Sequence, residues 1–175
     1  GLSGITKKDI KKTIGSFYPK NLLDLSPKEI ESYLLKMLPF KGVSVNREFF
    51  PPKIHIKVLE REPIAFASRV FSNKVEKGMI DIEGSWIPLQ FVTKSKQDKI
   101  NLSIENWNKN KKQEIILIIK NRFIFHSPLE QIKINPLQEI SIKTEHFDLV
   151  LLGAGTDRLI EQINKLNQLQ KSLPN

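Results

Sequence analysis

Between Pro51-Pro52 and Pro63 the chain alternates with a period of two: Ile54, Ile56 and Val58 are apolar, while Lys53, His55 and Lys57 between them are charged or polar. That period sends one row of side chains into a core and the other into water, the pattern of a half-buried strand over 54–60. Pro63 stops the ladder because it has no N–H to donate. Upstream, Val43 and Val45 alternate with Ser44 and Asn46 and run to Arg47, which gives a second strand over 43–48. Phe49-Phe50-Pro51-Pro52 forms the turn between them. A hairpin with one apolar face needs something to cover that face.

The preceding residues provide it. Thr6 with Asp9 three positions later has the form of a capping box, and Ile10, Ile14 and Phe17 follow at the spacing of one buried helix face. Pro19 ends this helix, and Leu22, Leu23 and Leu25 make a short apolar link. Ser26-Pro27-Lys28-Glu29 is a stronger start: a serine N-cap, proline at the first helical position, glutamate at the third. Ile30, Tyr33, Leu34, Met37 and Leu38 form the apolar face, and Pro39 closes the helix. The spacing predicts helices over 7–17 and 27–38, packed on the hairpin, in the order α-α-β-β.

The rest of the chain is richer in strands. Candidates lie at 78–84, 86–92, 99–104, 130–134, 139–144 and 147–152. Residues 115–119, Ile-Ile-Leu-Ile-Ile, are ambiguous: β-branched content argues strand, and the polar approach from Trp107 to Glu114 suits a helix. From Thr156 to about Leu173, Leu159, Ile163 and Leu166 share one helical face. The fold class is therefore α+β.

A chain of 175 residues holds one medium domain or two small ones. It has no cysteine, so disulfides and thiolate metal sites are excluded. Its net charge is +9, a balance that can suit nucleic acid or an anionic surface. The lysines are scattered, however. The densest groups are Lys7-Lys8, Lys11-Lys12 and Lys109 with Lys111-Lys112, which reads as solvated surface; no nucleic-acid partner is expected. No run of 18 apolar residues occurs, and the chain opens Gly1-Leu2-Ser3 without a methionine, as a processed or trimmed piece would.

Nothing in the sequence assembles catalytic chemistry. His55, His126 and His146 stand in no paired-ligand spacing, and no serine sits in a nucleophile elbow. Gly153-Ala154-Gly155-Thr156-Asp157-Arg158 has the outline of a dinucleotide turn. Arg158 occupies the third glycine position, and the 17 residues beyond it are too few for a complete β-α-β unit. A plain strand-to-helix turn with Thr156 as N-cap accounts for it. No cofactor, metal or catalytic residue is expected. Glu60-Arg61 is either a partner-contact pair or, by preference, the closure of a domain boundary beside Pro63.

The pattern Val45-x-Arg47, then Pro51-x-x-Ile54-x-Ile56-x-Val58-x-Glu60-Arg61-x-Pro63-Ile64-Ala65, resembles the end of the POTRA domain of FtsQ/DivIB-type bacterial cell-division proteins. Ile80-Asp81 with Gly84 resembles a later block of that family. So does the stretch from Lys143 to Gly153 with its following amphipathic helix. The resemblance is to cyanobacterial members in particular. The turn from Arg47 to Pro51 is one residue longer than the family's. The resemblance implies a truncated POTRA-like domain over 1–67 and an FtsQ-type β domain with a C-terminal helix over 68–175, and it makes 115–119 helical. It implies a non-enzymatic scaffold that recruits and bridges divisome proteins during septum formation. Such a scaffold sits as the periplasmic domain of a single-pass inner-membrane protein, held by an N-terminal helix. Its expected partners are small coiled-coil division proteins of the FtsB/FtsL type. The family pattern places one more strand before Gly1 and another after Asn175, so open sheet edges are expected. The candidate partner-binding residues are Val43, Val45 and Arg47 on the first hairpin strand, and Phe147, Leu149 and Leu151 on the last strand. The alternative is a POTRA-type module of outer-membrane protein assembly or transport; a basic nucleic-acid binder is a third reading.

Overall fold

The computed structural model describes residues 4–17, 26–121, 127–145, 150–152 and 156–172. They form two compact units, Gly1–Glu62 with Gln90–Thr93, and Pro63–Leu89 with Lys94–Asn175.

The first unit contains α1 (Lys7–Phe17), α2 (Pro27–Met37), β1 (Phe40–Phe49) and β2 (Pro52–Glu60). Both helix starts follow the capping logic of the sequence. The Thr6 amide and hydroxyl donate to Asp9 Oδ2 at 2.8 and 2.6 Å, and the Asp9 amide returns a bond to Thr6 Oγ1. Ser26 and Glu29 make the reciprocal box at α2, with Pro27 in the first turn. β1 and β2 pair antiparallel, with Val43 opposite Val58 and Val45 opposite Ile56. Ile10, Ile14, Ile30, Leu34 and Leu38 are buried together with Phe40 and Val45. Ile54, Ile56 and Val58 pack against them, and so does Phe91. The helix-on-hairpin arrangement read from the periodicity is what forms. Met37 departs from it: it is exposed, while Leu38 is buried. The helix ends at Met37 and Leu38 takes extended backbone, φ −125° and ψ 146°, which turns its side chain inward in place of the methionine.

The second unit is a seven-stranded sheet. Its strands are β3 (Pro63–Phe71), β4 (Lys74–Asp81), β5 (Trp86–Pro88), β6 (Ser103–Glu105), β7 (Leu129–Ile134), β8 (Ile140–Thr144) and β9 (Val150–Leu152). The order across the sheet is β5-β4-β3-β6-β7-β8-β9. β6 runs parallel to both β3 and β7, and the remaining neighbours are antiparallel. The short helix α3 (Lys94–Gln97), α4 (Lys112–Lys120) and α5 (Thr156–Ser172) complete it. The core gathers Ile80, Ile104, Ile132 and Ile142 from the sheet, Ile115, Ile118 and Ile119 from α4, and Leu159 and Ile163 from α5.

Here the structure corrects several expectations. β3 was absent from the predicted strands; it begins at Pro63, where the second compact unit starts. Its inward positions are Ala65 and Ala67, whose small side chains hide the period. Pro63 does end the preceding ladder, and it opens β3, a position that needs no N–H. The strand predicted over 86–92 stops at Pro88 and turns into a 3-10 helix, Leu89–Phe91. The strand predicted over 99–104 shrinks to Ser103–Glu105, because 94–97 winds into a helical turn. Residues 115–119 are helical, as the resemblance implied. The strand predicted over 147–152 is described only as Val150–Leu152. Thr156 is the first helical residue of α5, and the turn before it lies outside the described residues.

Candidate interaction surfaces

β1 positions three of the candidate residues. Val45 is buried in the core of the first unit, and Val43 is half-buried against it, so Val45 offers no side chain to a partner. Its backbone N–H, however, donates to Glu31 Oε1 at 2.7 Å. Glu31 stands in the second turn of α2, 14 residues away in sequence. The amide therefore points away from β2, along the open side of β1, and a carboxylate already occupies it. Charge on an exposed strand edge hinders further strand pairing, so the helix guards this edge. Sequence patterning carries no trace of Glu31's role, since it depends on how α2 lies against β1.

Arg47 sits opposite Ile54. Its Nε and Nη2 atoms are buried and have no hydrogen-bond partner among the described residues. A guanidinium carries five donors and no acceptor, so it is suited to an incoming carboxylate or carbonyl. Nearby, His55 Nε2 lies 3.1 Å from Glu48 Oε1, and both side chains are about half exposed.

In the second unit, β9 pairs with β8 through Ile140 opposite Leu152, Ser141 opposite Leu151, and Ile142 opposite Val150. On its other side no strand pairs with it among the described residues. Leu151 therefore lies on an open edge. Phe147 and Leu149 lie outside the described residues. The opposite edge of the sheet is β5, a strand of three residues.

Asp81 and Gly84 of the family-like block close the β4–β5 turn. Asp81 is buried, and its Oδ1 accepts from the Glu83 and Ser85 amides at 2.9 and 2.8 Å. Gly84 has φ +67°, a left-handed conformation that glycine takes without steric cost. These residues shape a turn. His126 and His146 lie outside the described residues. Among the described residues no group of three or more potential ligands could hold a metal ion, and no helix is long and apolar enough to cross a membrane.

The sequence reading also passed over a cluster on β3. The Arg69 guanidinium pairs with Glu76 at 2.8 Å and lies 4.2 Å from the Trp86 ring centroid. Trp86 in turn lies 5.6 Å from Trp107. An arginine on an aromatic face is held by the ring quadrupole. The available signal was the pair of tryptophans, the only two in the chain.

No curated protein matches the sequence. Residues 1–61 match the family model of the POTRA domain, FtsQ-type, which covers both helices and both strands of the first unit. The FtsQ-type POTRA family is one of non-enzymatic scaffolds, so the match points to a division-related scaffold role. Residues 1–61 are thus an FtsQ-type POTRA domain, a match that supports the FtsQ/DivIB-type resemblance read from the sequence.

Proposed function

We propose that this chain is a divisome scaffold: it recruits and bridges septal division proteins on the outer face of the cytoplasmic membrane, by surface contact and without chemistry. The observation that carries the reading is the FtsQ-type match across the whole α-α-β-β unit. The same match favours division over an outer-membrane assembly or transport role. In this reading the second unit is the family's β domain, and membrane attachment is through an N-terminal helix of the kind the family carries.

The partner class is a small coiled-coil division protein of the FtsB/FtsL type, docking by strand addition. An unpaired strand edge presents a row of N–H and C=O groups to an extended segment. The open edge of β9, with Leu151 on it, is the first docking candidate; Phe147 and Leu149 belong to the same predicted strand. β1, with Arg47 and Val43, is the second, and its edge is partly occupied by Glu31.

The test is a titration of such a partner's extracytoplasmic segment against the membrane-anchored full-length protein, followed by amide hydrogen exchange. Slowed exchange at Val150, Leu151 and Leu152 is the expected outcome. Protection at β1 instead would move the interface to the POTRA domain. Absence of binding by any divisome protein would sink the scaffold reading.

A further inference from the structure

β3, β6 and β7 are mutually parallel neighbours, so their C-terminal ends lie together at one end of the sheet. There an open pocket of about 310 Å³ is lined by Val70, Asn106, Trp107, Ile134, Pro136 and Gln138, among others. We propose that this pocket docks an extended peptide segment, apolar with acidic residues beside it, from a partner protein. The proposal concerns the second unit alone, and it holds whether or not β9 takes up a strand.

Shape limits the ligand first. Ligand pockets run from roughly 300 to 1,000 Å³, so this one has room for one or two side chains rather than a large cofactor. Apolar surface continues beyond its rim. Val70 and Val75 face each other across the β3–β4 hairpin and are 65% and 69% exposed. Leu137, next to Pro136 in the β7–β8 turn, is 79% exposed. Clustered exposed apolar side chains beside a groove mark an interaction surface.

The polar groups suit a peptide unit. Asn106 Nδ2 donates to the Ile134 carbonyl at 2.9 Å, which leaves Asn106 Oδ1 as an acceptor. Asn108 Nδ2 donates to Gln138 Oε1 at 3.2 Å, which leaves Gln138 Nε2 as a donor. One acceptor and one donor complement the N–H and C=O of a main chain. The buried Trp107 indole N–H is without an acceptor among the described residues.

Charge then selects the flanks. Arg69 is neutralised by Glu76, and Lys133 by Glu105. Lys74, Lys77 and Lys109 are exposed and have no ion pair among the described residues. Lys74 and Lys77 border Val75 on β4, and Lys109 follows the lining residues of the loop after β6. Exposed lysines on the β3–β4 hairpin and in the loop after β6 are complementary to an acidic-apolar segment and disfavour a basic one.

Trp107 lines this pocket and Trp86 lies 5.6 Å from Trp107, so intrinsic fluorescence reads its occupancy. The 175-residue chain is titrated with the blocked peptide acetyl-Asp-Leu-Val-Ile-Glu-Asp-amide, by fluorescence and by calorimetry. The control peptide carries lysine at each acidic position. Expected are saturable binding of the acidic peptide, loss of about tenfold or more in affinity for the basic one, and weakening in about 0.5 M salt. Val70→Asp and Leu137→Asp change exposed residues. Each is expected to keep the parent's unfolding midpoint and to bind the acidic peptide about tenfold more weakly, or worse. The proposal is overturned by silence in both fluorescence and heat at millimolar peptide. It is equally overturned by equal affinity for the two peptides, or by parental binding in both variants. Vesicles of phosphatidylserine and phosphatidylcholine form a separate arm. If they bind the chain and lose it on Val70→Asp while the peptide does not bind, the peptide assignment falls to an anionic membrane.

Discussion

At the residue scale, side chains here act mostly as caps and wedges. Asp9 accepts two hydrogen bonds from Thr6, and these hold its carboxyl below the ordinary aspartate value; Lys12 and Lys8 add to the effect. A depressed folded-state pKa contributes stability that is present above the unfolded value, roughly 3.9, and is lost as pH falls through the folded one. The Asp9 carboxyl carbon, followed by NMR, should therefore titrate at lower pH in the folded chain than in an unfolded peptide of the same sequence; a midpoint equal to the peptide's would remove the cap from the account. Asp81 is buried and binds two turn amides. Asp81→Ala leaves those amides without their acceptor and should cost about 1–3 kcal/mol in urea unfolding. Gly78 is a wedge of the opposite kind. A Cβ there would run into the Trp86 ring and the Ile87 carbonyl, so Gly78→Ala should cost about 1–3 kcal/mol and shift the tryptophan emission.

At the element scale, α2 does two jobs: its apolar face covers the hairpin, and its second turn sends Glu31 to the open side of β1. Removing a charged acceptor from a backbone amide costs about 1.5–3 kcal/mol where water cannot replace it. Glu31→Ala should approach the lower end of that range, because Glu31 is only half-buried. It should also speed hydrogen exchange at the Val45 amide selectively. Unchanged exchange there would mean that the edge is not guarded. α4 shows the reverse relation, in which the sheet imposes the element. Five consecutive aliphatic residues suit a strand, yet β6 and β7 are parallel neighbours, and parallel strands need a crossover. A helix over 112–120 provides it and buries Ile115, Ile118 and Ile119 at i, i+3 and i+4.

At the scale of the whole molecule, the two cores share no buried residue among the described residues. Leu34 is fully buried in the first, and both tryptophans belong to the second unit. Leu34→Ala should cost about 2–5 kcal/mol by cavity formation. A module of about 60 residues has little stability to spare. Circular dichroism should show an early helical loss in this variant, while the tryptophan transition stays near the parent's. A tryptophan midpoint that falls in step would mean that the units unfold as one.

The first unit was legible almost entirely from sequence. Its signals are local: two capping boxes with a proline in the first turn of one, and a strict alternation at Ile54, Ile56 and Val58. Each needs only residues within a few positions of one another. The hairpin's end at Glu60-Arg61 pointed to the same unit, and the family match over 1–61 agrees. The second unit was legible in class but not in detail. Ala65 and Ala67 fill inward positions with little hydrophobic signal, so β3 escaped notice. The 115–119 run fits two structures equally until its neighbours are known. Candidate surface residues fared likewise: alternation placed Val43, Val45 and Arg47 on one strand but could not show that Val45 is buried, or that Glu31 covers its amide. Local propensity and period set which segments are helix or strand. Which edges stay open, which amides are capped from a distance, and which loop ends meet around a pocket depend on contacts between residues far apart in sequence, and only the packed structure decides those.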